Sequence, residues 1–255
     1  MKASLLVARR DLGSYFRSPI FFVLTTVFLV LHSFLFFNIL SFFSFQSFQA
    51  PQLRGMGISM NLNEWVIEPS MRTIGIILLF MVPVITMRSF SEDRKTKSII
   101  LLLASPLRLR DIIFGKFLAC LAVVGLMLLL SAYTIGFLLW VGEPDVGPII
   151  TGFLGVFLMV SCYVSVGIFA SSLTDNQIIA AVISSGIIFL MWLIGLGAQS
   201  AGAQLGEALI YLSLLDHLDH FLKGIIDSSD VVYYLSFIGL GLFLTHRVLD
   251  SHRWR

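Results

Sequence analysis

Six long apolar runs take up most of this chain of 255 residues. A helix needs about 20 predominantly apolar residues to cross a bilayer, and each run is near that length. Charged residues make up only 13% of the sequence, against about 25% in ordinary soluble domains. The pattern predicts an all-α membrane protein with six transmembrane helices, over residues 19–48, 71–87, 117–141, 148–171, 177–197 and 231–245.

The lysines and arginines are unevenly distributed among the segments that join these runs. With both termini inside, 14 of the 17 basic residues fall on the inner side, and only Arg54, Arg72 and Lys223 fall outside. Inner loops of membrane proteins carry an excess of Lys and Arg. The distribution therefore predicts a multi-pass protein with both termini in the cytoplasm. A net charge of +2 is too small to indicate nucleic-acid binding.

The segment 88–116 is a long polar interruption between two apolar runs, and it contains seven basic residues. Ser91 is placed to cap a helix whose first turn carries Glu92 and Asp93, residues that suit the positive end of a helix dipole. This helix is expected to turn apolar and to end before Pro106. Two interpretations stay open: a loop that only fixes orientation, or a docking element through which a soluble partner moves the spans.

Two further segments are predicted to be helical without spanning the membrane. Residues 1–17 place Leu5, Ala8 and Leu12 at helical spacing with basic residues around them, a pattern typical of a helix in the headgroup layer. Residues 198–230 have leucines at helical spacing, but charged residues interrupt them before about 20 apolar residues accumulate. Two short, half-inserted helices packed against the bundle are expected there.

The second of these segments also contains metal-ligand residue types at close spacing, namely Asp216, His217, Asp219 and His220. On a helix, Asp216 would share a face with Asp219 and His220. Carboxylates and histidines together do bind divalent metals. No second group of such residues completes a site in the sequence. We therefore expect these four residues to form the polar lip of an external cavity, without a metal.

The sequence carries no signature of nucleotide binding or of ion-coupled transport by this chain alone. The Walker pattern is absent, because Gly115-Lys116 has no partner glycine. The predicted spans contain no Asp, Glu, Lys or Arg away from their ends, which argues against a proton- or sodium-driven carrier. Cys120 and Cys162 both fall in predicted spans, so no disulfide is expected. His32, in the first span, is interpreted as a packed histidine in preference to one that lines a substrate path.

Three stretches together resemble a known class of membrane proteins. They read ARRDLGSYFRSPIFF, VPVITMRSFSEDRKTKSIILLLASPLRLRDIIFGK, and GIFASSLTDNQIIAA with LLDHLDHFLKGIID before the last span. The chain resembles a permease subunit of the type-2 class of ABC exporters. Within that class it is similar to the permeases associated with gliding motility and with nitrous-oxide-reductase maturation.

The resemblance implies an architecture and a set of partners. The architecture is a single permease domain over residues 1–255 of a bacterial inner membrane, with an interfacial elbow helix, a cytoplasmic coupling helix between spans two and three, and an external re-entrant hairpin before span six. The partners are two copies of an ABC ATPase subunit, a second permease copy or a paired permease, the lipid bilayer, and a periplasmic or auxiliary membrane subunit. ATP and Mg are expected in the ATPase, and no cofactor is expected in this chain.

The resemblance also assigns roles to residues of the segment between spans two and three. It places Glu92, Asp93, Arg94, Lys95 and Thr96, followed by Lys97 and Ser98, on the coupling helix in the ATPase groove. Lys97 stands where the family commonly has glycine, Ser98 where it has threonine, and Ile100 where it often has glutamate. The function expected is therefore a permease, not itself an enzyme, coupled to ATP hydrolysis in a separate subunit. The alternatives are an ion-coupled or channel-like protein without an ATPase, and a structural anchor of a larger assembly.

Overall fold

The computed structural model describes residues 2–48, 61–98, 107–198, 209 and 211–253, and within these ranges it contains helices and no strand. The helices are α1 (Lys2–Arg17), α2 (Pro19–Phe48), α3 (Glu68–Thr86), α4 (Arg88–Lys95), α5 (Leu109–Ser131), α6 (Tyr133–Val141), α7 (Val146–Leu173), α8 (Gln177–Ala198), α9 (Asp216–Leu222) and α10 (Ser228–Arg253). A π-helical turn, Asn63–Ile67, leads directly into α3.

Six helical stretches in this part of the chain are long and apolar enough to cross a membrane, which confirms the predicted fold class and a multi-pass membrane protein. They are Pro19–Phe48, Asn63–Lys95, Leu109–Val141, Val146–Leu173, Gln177–Gly195 and Ser228–Ser251. The first begins and ends where predicted, whereas the second, third and sixth extend well into polar sequence. Hydropathy identifies only the apolar part of a helix. The helix itself continues through polar residues, because their backbone groups form the same hydrogen bonds.

α7 is the central helix of the fold. It packs against α3, α4, α5, α8, α9 and α10. Two glycines permit the closest approaches, since a Cβ added at Gly155 would lie 2.6 Å from the Cβ of Phe221 in α9, and one added at Gly167 would overlap Thr86 in α3. These two glycines lie about 18 Å apart along the helix. α7 therefore connects both ends of the molecule.

Three helices, α2, α8 and α10, form much of the outer surface. They leave large apolar side chains exposed, including Phe34, Val182, Leu190 and Val232. Exposed apolar surface of this extent marks contact with a membrane or another protein. The distribution is the one expected of spans that face lipid.

His32 of α2 is buried between the rings of Phe28 and Phe36. Its Nε2 lies 3.1 Å from the hydroxyl oxygen of Thr134, which in turn donates to the carbonyl of Ser131. Because Thr134 already donates to that carbonyl, it accepts the hydrogen bond from the imidazole. This contact joins α2 to the break between α5 and α6, and it agrees with the interpretation of His32 as a packed histidine.

α1 packs lengthwise against α5 with a face that includes the predicted Ala8 and Leu12 but not Leu5. Val7 and Ala8 are buried, whereas Leu5 is 67% exposed. The reason is the close approach of the two helices at Gly115, where an added Cβ would lie 2.7 Å from the backbone oxygen of Ser4. Small side chains therefore form the contact, and Leu5 points away from it. The position of α1 in a headgroup layer stays a prediction.

The predicted orientation can be tested with single cysteines, because the two native ones are buried. Asp145, Ser229 and Lys97 are all exposed on the protein, so the reaction of a cysteine at any of them depends mainly on its side of the membrane. An impermeant thiol reagent added outside cells should label Asp145→Cys and Ser229→Cys, and it should leave Lys97→Cys unlabelled until the membrane is opened. The inverted pattern would contradict six spans with both ends inside.

Candidate functional site

α4 follows α3 after the single residue Met87. A side chain from another helix forms hydrogen bonds with the backbone of its first turn. The hydroxyl of Ser171 in α7 accepts hydrogen bonds from the backbone N–H groups of Phe90, at 3.0 Å, and Ser91, at 3.1 Å, and it donates to the carbonyl of Met87 at 2.9 Å. The prediction that Ser91 caps a helix is therefore wrong. α4 already begins at Arg88, and the Ser91 hydroxyl donates to the carbonyl of Met87 one turn earlier.

A buried lysine ties α4 to α1 and α5. Lys116 lies two turns into α5, and its side chain is only 4% exposed. Its ammonium nitrogen is 2.7 Å from a carboxylate oxygen of Asp93, 3.1 Å from one of Asp11, and 2.5 Å from the carbonyl oxygen of Ser89. A buried charge is tolerated only with such partners. We call Lys116, Asp11, Asp93 and Ser89 the lysine joint.

Tyr15 of α1 reinforces this connection. Its hydroxyl donates to the carbonyl of Ile85 in α3 at 2.9 Å and lies 3.4 Å from the sulfur of Cys120 in α5. Burial raises the pKa of the Tyr15 phenol well above its usual range. The phenol consequently remains a neutral hydrogen-bond donor at the end of α3.

Two arginines hold the outer side of α4. Arg88 lies 3.1 Å from a carboxylate oxygen of Glu92 on the same helix, and it donates to the hydroxyl of Ser18 at 3.2 Å. Arg94, whose side chain is 10% exposed, forms an ion pair at 3.5 Å with Asp175 in the connection between α7 and α8. α4 is thus attached to α1, α5, α7 and the α7–α8 connection.

The seven residues predicted for ATPase coupling divide into two groups. Asp93 and Arg94 point inward to the contacts above, and Ser98 donates to a carboxylate oxygen of Asp93 at 3.0 Å. Glu92 pairs with an arginine although its side chain is 46% exposed. The remaining three residues are exposed, and we call them the α4 tip: Lys95, Thr96 and Lys97.

The backbone turns sharply at this tip. α4 ends at Lys95, and Lys97 has a φ of 56°, in the left-handed region. Glycine adopts this conformation without the steric cost of a Cβ, and it is the commonest residue just past a helix end. The structure thus gives a physical reason for the glycine that the resemblance associates with position 97. The predicted continuation through Leu103, with Ile100, lies outside the described residues.

A cavity of about 660 Å³ opens between α1 and α4 beside the lysine joint. Its lining mixes basic and acidic side chains with hydroxyl groups. Most of these charged groups already pair with one another, as Lys116 does with Asp11 and Arg88 does with Glu92. The cavity is therefore a polar space beside the lysine joint, at the end of the bundle where α4 lies.

At the opposite end of the bundle, two histidines share one carboxylate. Asp230, in the first turn of α10, is 1% exposed. One of its carboxylate oxygens lies 2.6 Å from Nδ1 of His217, and the other lies 2.8 Å from Nδ1 of His220. We call His217, His220 and Asp230 the histidine cluster, and it fastens α9 to the start of α10.

Both ring nitrogens of His217 are engaged in this cluster. Nδ1 faces Asp230, and Nε2 lies 3.0 Å from the carbonyl oxygen of Tyr211. Neither nitrogen is therefore free to bind a metal. The imidazole also stacks on the ring of Tyr233, with the ring centres 3.9 Å apart. Among the described residues, no group of three His, Cys, Asp or Glu side chains is arranged so that it could hold a metal ion.

The four residues predicted as a polar lip therefore occupy different environments. His217 is buried rather than exposed, whereas the side chain of His220 is 52% exposed. Asp219 forms an ion pair at 2.7 Å with Arg72 of α3, and the backbone N–H of Asp216 donates to the hydroxyl of Ser213. The ion pair agrees with the prediction that residue 72 and α9 lie on the same side of the membrane.

Sequence reasoning missed three residues that organise these two sites. Lys116 was considered only as a basic residue and as part of an incomplete Walker pattern, although it lies at the edge of an apolar run, where an unpaired charge is costly. Asp230 directly precedes the last run, and this position was a usable signal that its carboxylate needs partners. The role of Ser171 left no signal, because serines in helices are common and its contacts lie 80 residues or more away.

Comparison with known families adds one finding to this geometry. A family model described as ABC-2 family transporter protein matches residues 5–236. The match covers most of α1 and all of the lysine joint, α4 and the histidine cluster, and it names the family without a subgroup. No curated protein matches the chain.

Proposed function

This chain belongs to the ABC-2 family of transporter proteins, and from that premise we propose that it couples ATP hydrolysis in a separate ATPase subunit to movement of a substrate across the membrane. Membership makes it the membrane component, or permease, of an ABC transporter. The coupling role and its residues are our proposal.

The observation that carries this proposal is the way α4 combines an exposed tip with a fixed base. Lys95, Thr96 and Lys97 are exposed, while Asp93 and Arg94 bind other elements. A loop that only sets orientation would need charge, but it would not need four separate attachments to the bundle. A rigid element with a free end is suited to transmit force.

The mechanism we propose is a displacement shared by several helices. ATP-driven closure of two ATPase subunits would push the α4 tip. The lysine joint would carry that push to α1 and α5, and Ser171 would carry it to α7. Coupling of this kind requires packed elements that have two alternative arrangements. The ATPase site and the transport path must each favour one of these arrangements over the other. Spans two and three would therefore move together with α4.

Further features of the assembly follow from the same proposal. A second copy of this permease, or a paired permease, would complete the transport path in the inner membrane of a bacterium. α1 would serve as the elbow helix, and α9 would form part of an external re-entrant hairpin open to a periplasmic or auxiliary subunit. ATP and Mg would bind in the ATPase, and this chain would bind no cofactor.

A charge reversal at the α4 tip tests the proposal. Lys95 and Lys97 are exposed and form no ion pair in the described part of the chain, so changing both to glutamate leaves the lysine joint intact. Like charges juxtaposed at an interface cost several kcal/mol. We expect the variant to insert and fold but to lose the co-purifying ATP-hydrolysing subunit, or the ATPase activity stimulated by the permease.

The matched control reverses Arg253 and Arg255, which lie near the C-terminus and on the same predicted side. It changes the net charge by the same amount and should keep the partner. Equal loss in both variants would show that total charge, and not α4, determines assembly. Retention of the ATPase subunit in both variants would show that α4 does not contribute to the interface.

A further inference from the structure

A second groove, away from α4, combines two features of a phospholipid site. It lies between α5 and α10, has a volume of about 430 Å³, and is lined by basic residues together with apolar ones. The basic residues are Arg110 of α5 and Arg247 of α10, with His246 beside the latter. We call this space the α5–α10 groove.

The charged and apolar parts of this groove are separated along the helix axes. Arg110 lies four residues before Phe114, and Arg247 lies four residues after Phe243. Because the two helices run in opposite directions, both arginines lie at the same end of the groove. Four residues of helix rise about 6 Å, so on both helices an aromatic ring lies one turn below a guanidinium group.

The apolar walls are open to the surroundings. The side chains of Phe114 and Phe243 are 50% and 52% exposed, and Leu242 and Ile113 complete the lining. The guanidinium carbon of Arg247 lies 5.1 Å from the centre of the Phe243 ring. Within the described ranges, neither Arg110 nor Arg247 forms an ion pair with a carboxylate. The groove therefore presents two uncompensated cations above an apolar slot.

We propose that the α5–α10 groove binds one glycerophospholipid with an anionic headgroup. The phosphate and headgroup lie between Arg110 and Arg247, and an acyl chain lies along the two phenylalanines. Lipid binding itself does not depend on the proposed function. Only the assignment of the lipid to the cytoplasmic leaflet rests on the proposed orientation. Basic pockets between transmembrane helices on that side are suited to anionic headgroups.

The charge pattern favours a lipid over a protein partner. A helix of a second permease copy could cover the phenylalanines, but it would also have to place carboxylates opposite both arginines. A lipid supplies the anion and the apolar chain in one molecule. Each cation near an anionic surface contributes about a fivefold preference. Two arginines therefore predict a preference of about 25-fold for an anionic lipid.

The test is retention of lipid by the complete permease. The protein is reconstituted in nanodiscs that contain equal parts of phosphatidylglycerol and phosphatidylcholine, and it is then extracted. Native mass spectrometry identifies and quantifies the lipid that stays bound. We expect one phosphatidylglycerol per chain, retained about 25-fold over phosphatidylcholine. Arg110→Gln with Arg247→Gln should abolish the preference. Leu242→Trp, which narrows the slot without changing charge, should lower retention of both lipids.

A matched control changes two lysines elsewhere. Lys95→Gln with Lys97→Gln removes the same charge from the α4 tip and should retain phosphatidylglycerol as the wild type does. Equal loss in the control, or no lipid preference in the wild type, would overturn the proposal. A disulfide between two permease copies bearing Phe243→Cys would also overturn it, because a second copy would then occupy the groove. ATPase co-purification from the same samples reports separately on the proposed function.

Discussion

Replacing Lys116 by methionine should destabilise the permease by about 3–5 kcal/mol, the range for breaking a buried ion pair by removing one partner. Methionine fills a similar volume, but it leaves Asp93 without its cation and Asp11 with only the exposed Arg10. The free energy of unfolding in mixed micelles measures the loss. In the complex, the same variant should uncouple ATP hydrolysis from transport, because α4 would no longer be fixed to α1 and α5.

Lys95→Met is the matched control, since it removes the same charge from an exposed position. Surface substitutions of this kind usually change stability by less than about 0.5 kcal/mol. Adding Asp93→Asn to the Lys116→Met variant should restore part of the lost stability by removing the unpaired buried carboxylate. Equal stabilities for Lys116→Met and Lys95→Met would contradict the lysine joint.

Replacing Asp230 by asparagine should detach α9 from α10, with a loss of about 3 kcal/mol. The carboxylate accepts hydrogen bonds from His217 and His220 on its two oxygens. Asparagine keeps one acceptor oxygen, but its amide N–H₂ would face the other imidazole N–H. Hydrogen bonds to charged groups contribute about 1.5–3 kcal/mol each. Hydrogen exchange of α9 reports the loosening, and the unfolding transition reports the loss of stability.

Asp227→Asn provides the control three residues earlier. Asp227 is exposed, and the backbone N–H of Ser229 donates to its carboxylate and lowers the pKa of that group. Asparagine serves this helix-start position as well as aspartate does. The control should leave α9 protected from exchange. Loss of protection in both variants would show that the charge near the start of α10, and not the histidine cluster, holds α9.

The spans were predictable because a bilayer imposes a length and a composition on each of them. Pro19–Phe48 was predicted with the bounds that the structure has, since proline suits the first turn of a helix and no charged residue interrupts the run. The ends of the other spans were less predictable. Polar residues such as Arg88 and Glu92 continue the helical backbone beyond the apolar part, and hydropathy does not register them.

The division of the α4 residues was also accessible from the sequence. Phe90 is the only large apolar residue of α4 and is buried, so the residues three and four positions later share its inward face. Those residues are Asp93 and Arg94, which the structure does place in contact with other elements. Treating the whole charged run as a partner-facing surface overlooked this helical spacing.

The contacts between distant parts of the chain could not be predicted in the same way. The lysine joint brings Asp11 to Lys116, and the cap of α4 comes from Ser171 in α7. Pairings across such separations depend on how the helices pack, which no local pattern encodes. The place of Lys116 at the edge of an apolar run was a signal that it has partners, but it did not identify them.

The most direct measurement of the central claim is a photo-crosslink from the α4 tip. A photoreactive amino acid replaces Lys95 in the intact complex, and the same residue replaces Ser229 at the predicted outer end as a control. We predict a covalent adduct between the Lys95 variant and an ATP-hydrolysing subunit, and none from the Ser229 variant. A complex that hydrolyses ATP but gives no adduct at Lys95, or an equal yield at both positions, would contradict coupling through α4.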